Sequence, residues 1–288
     1  MSGNRNIAVI GGDKRQLYMC KLLAEKDFHV ITLGVNLAET NINHIETAQS
    51  LETIMKDCDI IIGPIPFTRD GIHIYSDTDV SVRLDEFVSF IRQRHILLGG
   101  CMDELTVEKA KSQNAVYFDF MEDETVAVKN AIATAEGTIL EAIRQSDINL
   151  CESRCLVTGY GRCAKVLAES LKALKANVTI AARSKEQRAS AREAGFHTIS
   201  LEEASKELFE FDFLFNTIPA MIITASWLAE CKREVVIIDI ASKPGGTDFE
   251  QCKKLGIKAV LALGLPGKYA PKTSAEILLQ SMEHLLPS

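Results

Sequence analysis

The stretch Cys155-Leu156-Val157-Thr158-Gly159-Tyr160-Gly161-Arg162-Cys163-Ala164 constrains this chain more than any other. Leu156 and Val157 form an apolar run that stops at one glycine, and a second glycine follows two residues later. Beyond Ala164 the apolar residues Val166, Leu167, Leu171 and Leu174 recur at helical spacing. The pattern reads as strand, tight turn and helix, with the G-x-G-x-x-A form of the dinucleotide fingerprint at the turn. Gly159 permits the turn. Gly161 leaves room for a pyrophosphate at the helix N-terminus, and Ala164 lets helix and strand pack closely. The expected cradle is Gly159, Tyr160, Gly161, Arg162, Cys163 and Ala164.

Short glycine patterns arise by chance, so the next strand carries the argument further. Asn177–Ala182 reads as that strand and ends at Arg183-Ser184. A domain that binds NAD usually places Asp or Glu about 20 residues past the glycines, to hold the ribose 2′-hydroxyl. Here Ala182 holds that place. Arg183 can pair with a 2′-phosphate and Ser184 can donate a hydrogen bond to it, with Lys185 and Arg188 close by. The expected cofactor is NADP; the competing reading is a solvated basic helix start with no ligand.

With 288 residues the chain is long enough for two cores. Its 47% hydrophobic and 25% charged residues place it among soluble globular proteins. A net charge of −7 argues against a nucleic-acid partner, and an anionic ligand would need a local basic pocket. No apolar run approaches the roughly 18 residues of a membrane helix. Met1–Asn6 is too polar for a signal peptide. The expected setting is cytoplasmic, with no membrane. The eight cysteines contain no C-x-x-C pair, so the expectation is buried free thiols in a reducing compartment and no metal site.

Along the chain, Asn6–Ile10, Phe28–Leu33, Asp59–Ile62, Ile96–Leu98 and Val116–Phe118 read as strands of an N-terminal half. Gly11-Gly12-Asp13 follows the first of them, with Arg15 one turn into a helix. Gly63-Pro64-Ile65-Pro66 makes a stiff loop after Asp59–Ile62, at the strand ends where open α/β sheets bind ligands. Thr68–Ser81 is a polar excursion. Thr125–Ser146 is a long helix rich in small residues, whose Asn130 and Glu136 are either site residues or solvated positions. In the C-terminal half, strands end at Asn216-Thr217-Ile218-Pro219, at Asp239 with Ala241, Ser242 and Lys243 beyond, and before Leu265, Pro266 and Lys268. Asn216 and Thr217 suit ribose hydroxyls. Pro271–Leu286 is a closing amphipathic helix. The expected architecture is α/β, two Rossmann-like doubly wound parallel-sheet domains joined by long helices. Residues 1–124 form the substrate side, 125–150 an interdomain helix, 151–270 the NADP domain, and 271–288 a helix at the domain junction.

Taken together, the sequence resembles the dipicolinate synthase A subunits of endospore-forming bacteria along essentially its whole length. The resemblance rests on Val9–Asp13 with Arg15, Gly63–Pro66, Asn130–Gly137, Gly159–Arg162, Asn216–Pro219 and Asp239–Gly246. Ala164 departs from the glycine expected in many relatives. The resemblance implies a layout like two-domain hydroxyacid dehydrogenases, with a cleft between the halves. It implies NADP-dependent oxidation of dihydrodipicolinate to pyridine-2,6-dicarboxylate in the mother cell during sporulation, together with the flavoprotein-like B subunit of dipicolinate synthase. The chain is also expected to be a homo-oligomer. The substrate is then a dicarboxylate. Its expected contacts are Gly12, Asp13, Arg15, Gly63, Pro64, Ile65, Pro66, Asn130, Glu136, Lys243 and Lys268, with Arg15 as first choice for the carboxylate clamp. No residue is assigned as general acid or base. Two alternatives stay open: an NADP-dependent dehydrogenase of a small hydroxy or keto acid, and a non-catalytic NADP-binding subunit. The first usually needs a histidine–carboxylate pair, and none of the six histidines follows the Asp239 or Leu263 strand ends.

Overall fold

The computed structural model describes residues 6–37 and 43–286. The chain divides into two compact units, 1–127 with 270–288, and 128–269. In the first, the elements run β1 (Asn6–Ile10), α1 (Lys14–Glu25), β2 (His29–Leu33), β3 (Ile45–Thr47), α2 (Leu51–Asp57) and β4 (Ile60–Ile62). They continue through α3 (Leu84–Phe90), β5 (Ile96–Gly99), α4 (Glu104–Ser112) and β6 (Val116–Asp119). Helix α5 (Glu124–Gln145) leads into the second unit, which opens with β7 (Arg154–Thr158), α6 (Arg162–Ala173), β8 (Asn177–Ala181) and α7 (Lys185–Glu193). Then come β9 (His197–Ile199), α8 (Leu201–Ala204), β10 (Phe213–Asn216), α9 (Ala225–Ala229), β11 (Val236–Asp239), α10 (Phe249–Leu255), β12 (Lys258–Leu261) and α11 (Leu265–Tyr269). Helix α12 (Pro271–Met282) closes the described chain.

Each unit holds one six-stranded, all-parallel sheet, ordered β3-β2-β1-β4-β5-β6 and β9-β8-β7-β10-β11-β12. Both are doubly wound, and both reverse strand order between their first and fourth strands. The strands are apolar because both faces are covered. Along β7 and β10, Cys155, Val157, Phe213 and Phe215 enter one core, while Leu156 and Leu214 enter the core on the opposite face. In the first unit Ala8, Ile10 and Ile61 face one way, and Ile7, Val9, Ile60 and Ile62 the other. A fully parallel sheet puts every strand's C-terminus on one edge, so loops distant in sequence become neighbours there.

The structure adds to and changes the sequence reading. β3, α2 and α9, which periodicity did not reveal, are only three to seven residues long and carry too little pattern. The closing helix, α12, packs along α1, with Ala275, Leu278 and Met282 in one core with Met19, Cys20 and Leu23. In α5 the small residues Ala131, Ala133, Ala135 and Gly137 are buried, while Ile132, Leu140 and Ile143 are exposed. Close approach is what the small residues allow: a Cβ on Gly137 would lie 2.9 Å from the Tyr269 ring. The thiols of Cys20, Cys58, Cys155 and Cys252 are buried, but those of Cys101 and Cys151 are exposed.

Candidate dinucleotide site and its neighbouring loops

In the second unit the strand-end edge gathers the loops after β7, β8, β10, β11 and β12. Gly159 ends β7 with φ +84°, and a Cβ there would sit 2.8 Å from Thr217 Oγ1, so both turn and neighbour demand glycine. Gly161 is different. It caps α6 in ordinary extended geometry (φ −83°, ψ −169°), and a Cβ there would meet nothing within 4 Å. No side chain caps α6, so its first turn offers backbone N–H groups and the positive end of the helix dipole to that open space. Tyr160 is buried against Phe196, and Ala164 is wholly buried beneath the turn. Arg162 is exposed. Cys163 is half-buried; burial pushes its thiol up, opposed by Arg162 and by a hydrogen bond with Thr134.

The loops beside the turn are fixed by a buried polar cluster. The Asn216 amide has all four of its hydrogen-bonding positions filled. Its oxygen accepts from Thr158 Oγ1 (2.6 Å) and the Ile218 amide (3.2 Å), and its nitrogen donates to the Ile218 carbonyl (3.1 Å) and Asp239 Oδ1 (2.9 Å). Asp239 is filled likewise: Oδ1 also accepts from the Ala241 amide, and Oδ2 accepts from the Gly246 amide and Thr247 Oγ1. Thr217 Oγ1 donates to the Thr158 carbonyl at 2.7 Å. Asn216 was expected to bind a ribose hydroxyl and Asp239 to stand in the cofactor loop, but their side chains have no capacity left for a ligand. They tie the ends of β7, β10 and β11 together, leaving the exposed or half-exposed Thr217, Ile218, Pro219 and Ser242 on the rim. Ala241 and Leu265 are buried and Pro266 half-buried. Thr158 and Thr247 went unnoticed in the sequence; a hydroxyl closing a buried strand was the available signal for Thr158, and Thr247, in the loop after β11, had none.

After β8, Arg183 is exposed and the Arg188 guanidinium donates to the Arg183 carbonyl at 2.8 Å, bracing the loop. Ser184 is the N-cap of α7, and its hydroxyl also donates to Glu186. A carboxylate is thus closer to this loop than the sequence alone suggests. Lys243 is exposed beyond β11. Lys268, the other rim lysine, pairs instead with buried Glu141 on α5, which also accepts from the Tyr269 hydroxyl. Those hydrogen bonds hold the Glu141 carboxyl below its usual range. Asn130 is half-buried and Glu136 exposed on α5.

The corresponding edge of the first unit is closed over. The Gly12 amide donates to the Tyr75 carbonyl at 2.6 Å, and the Asp77 amide donates to the Gly12 carbonyl at 2.9 Å. The excursion after β4 thereby covers the glycine turn with its own backbone. Arg15, the expected clamp, is only 5% exposed. Its Nε and Nη2 bond Asp13 at 2.9 and 2.7 Å, and Nη2 also donates to the Ile65 carbonyl. Gln16 reaches the Gly63 carbonyl from the same helix. The expected substrate residues Gly12, Asp13, Arg15 and Gly63–Pro66 do lie together, but Arg15 organises the two loops, with its fork turned on Asp13. Burial raises the Asp13 pKa, and the Arg15 hydrogen bonds and charge more than reverse it, leaving it below the usual carboxylate range. The excursion also carries an unforeseen histidine–carboxylate pair, His73 Nδ1 to Asp70 Oδ2 at 2.8 Å.

Sheet order, glycine turn and uncapped helix define the second unit as a dehydrogenase-type nicotinamide-dinucleotide domain. Residues 141–250 match the shikimate/quinate 5-dehydrogenase family, and residues 6–121 match the N-terminal domain of the dipicolinate synthase A subunit. The chain is 34% identical to the dipicolinate synthase A subunit of Bacillus subtilis (strain 168) over 97% of its own length and 95% of that protein. The crystal structure of the dipicolinate synthase A subunit from Bacillus halodurans superposes with TM-score 0.89 at 32% identity, covering 100% and 99% of the two chains. A transhydrogenase from Sinorhizobium meliloti, at 14% identity and TM-score 0.69 over 97% and 93% of the chains, shares the fold. This chain belongs to the family of dipicolinate synthase A subunits. No helix among the described residues is long and apolar enough to cross a membrane.

The buried contacts set the stability of both edges. Asp239→Asn places an NH₂ against donors, and urea unfolding should show a loss of about 3 kcal/mol. Arg15→Ala leaves Asp13 partly buried without its cation and should cost about 3 kcal/mol at pH 7. In the native protein the Asp13 contribution is complete above the ordinary carboxylate range and fades as pH falls through its lowered pKa. In the variant burial dominates and raises that pKa, so the deficit should shrink between pH 7 and pH 4.5. A deficit independent of pH would mean that only packing was lost.

Proposed function

We propose that this chain is the dinucleotide-binding subunit of a dipicolinate synthase. It oxidises dihydrodipicolinate to pyridine-2,6-dicarboxylate with NADP and works with a second, different subunit. The observation that carries the reading is Gly161. Its backbone conformation is open to any residue and its missing Cβ relieves no contact within the protein, so the fold has no use for glycine there. A pyrophosphate at the α6 N-terminus does.

The chain's residues fit the cofactor part by part. Gly159, Tyr160, Gly161, Arg162, Cys163 and Ala164 form the turn and first helical amides that would hold the diphosphate. Arg183 supplies an exposed guanidinium one strand along, and Ala182 stands where an NAD site places a carboxylate, the nearest acid of this loop being Glu186, which accepts from Ser184. The hydroxyl of Ser184 holds the α7 cap, so the charge contribution rests on Arg183. Thr217, Ile218, Pro219 and Ser242 line the rim, with Ala241, Leu265 and Pro266 beneath it. NADP⁺, when bound, accepts the hydride that a dihydropyridine ring releases on becoming aromatic; the ring also releases a proton. Aromatisation supplies much of the driving force, in keeping with the lack of any histidine on this edge among the described residues. In the first unit, the Gly12–Asp13 and Gly63–Pro66 loops, braced by Arg15, shape the strand-end edge; in the second, Asn130, Glu136 and Lys243 are the further substrate contacts, while Lys268 is held by Glu141. The family's naming as one subunit of a synthase supports a partner.

Fluorescence or calorimetric titration with both coenzymes tests the reading. The native chain should prefer NADP⁺ to NAD⁺. Gly161→Val should keep its unfolding midpoint and lose binding of both. Arg183→Ala should weaken NADP⁺ by about 30-fold and NAD⁺ by less than about threefold. Equal binding of the two by the native chain would remove the NADP assignment, and undiminished binding by Gly161→Val would remove the site.

A further inference from the structure

The substrate proposed above carries two carboxylates, yet the arginine best placed by sequence to hold one is turned inward. Arg15 is buried and paired with Asp13 and the Ile65 carbonyl. The same strand-end edge carries a second arginine in the opposite condition. Arg69 follows β4 on the excursion and is exposed. Its guanidinium carbon lies 3.6 Å from the centroid of the Tyr75 ring. No hydrogen bond or ion pair holds it among the described residues.

Stacking of this kind fixes the plane of a guanidinium while leaving its N–H edge open. That edge matches the two oxygens of a carboxylate, and an aromatic shelf reduces the freedom lost on binding. Tyr75 is itself pinned, because its carbonyl accepts the Gly12 amide and its own amide donates to the Phe67 carbonyl. The shelf therefore belongs to the glycine turn of β1. The nearby acids do not hold Arg69. Asp13 is paired with Arg15, and Asp70 is bonded by His73 and by the backbone amides of Ile72 and His73. Asp77 makes no hydrogen bond or ion pair with Arg69 and acts on it only through its charge. A shallow open cavity of about 240 Å³ adjoins the arginine, lined in part by His73, Tyr75, Ser76, Thr78 and Ser81. Its hydroxyls and imidazole can complete the hydrogen bonds of a small acid; Asp70 and Asp79 at its wall would oppose a second negative group placed against them.

We propose that Arg69, stacked on Tyr75, is the carboxylate-binding and specificity-determining residue of the first unit, and that its ligand is a small organic carboxylate. The identity of that ligand as a pyridine dicarboxylate rests on the proposed function above. The residue's role as a carboxylate fork does not.

The test is calorimetry on the full chain saturated with NADP⁺, titrated with pyridine-2,6-dicarboxylate, pyridine-2-carboxylate, succinate and pyridine. Arg69→Ala should weaken the dicarboxylate by about 20-fold or more, leaving NADP⁺ affinity and the unfolding midpoint as in the native chain. Arg69→Lys should recover only part of the loss, because a point charge replaces a fork. Tyr75→Leu should weaken binding several-fold by removing the shelf. Pyridine, with no carboxylate, should be indifferent to all three. If the native chain binds succinate but not the pyridine acids, and Arg69→Ala abolishes that binding, the arginine's role stands and the dipicolinate reading falls. If Arg69→Ala binds the pyridine dicarboxylate like the native chain, the substrate reading stands and this assignment is overturned. Binding of no carboxylate by the native chain overturns it as well.

Discussion

The second unit depends on one saturated side chain. The amide of Asn216 meets the Thr158 hydroxyl from β7, the Asp239 carboxylate from β11 and the backbone of its own loop. Each of these groups would carry a heavy cost if buried alone, and together they leave Asn216 and Asp239 with nothing unmet. The cluster lies where strand order reverses, so it sets how the loops after three adjacent strands leave the sheet. The Gly159 turn is shaped by it directly, through Thr217.

The two units show what such loop control decides. They share one strand order and one glycine turn after the first strand. In the second, the space over the turn is open and the helix N-terminus is uncapped. In the first, the excursion after β4 lays the Tyr75 carbonyl on the Gly12 amide and fills the equivalent space with protein. The same topology therefore offers a dinucleotide surface in one unit and removes it in the other. The difference lies in a connecting loop and owes nothing to the sheet.

Charge placement follows the same rule. Arg15 and Arg69 have the same chemistry and stand near the same turn. Arg15 begins a helix whose N-cap is Asp13, and its fork closes on that carboxylate and on a carbonyl fifty residues away in sequence. Arg69 stands on a loop with acids nearby but no hydrogen bond or ion pair to any of them among the described residues, and an aromatic ring beneath it. Burial and pairing separate a structural arginine from one open to a ligand.

The sequence by itself determined whatever is local. The β7 turn and α6 were legible because strand, glycine spacing and helical period lie within some twenty residues. The two-unit α/β architecture was legible because apolar runs alternate with helical patterns throughout. The tertiary structure alone decided which polar residues face ligand and which face each other. Asn216 read as a ribose contact until three strands in register closed it onto Asp239 and Thr158, and Arg15 read as a clamp until Ile65 came within reach. Hydrogen bonds and burial are properties of neighbours, and in a doubly wound sheet those neighbours are set by strand order, which no local spacing records.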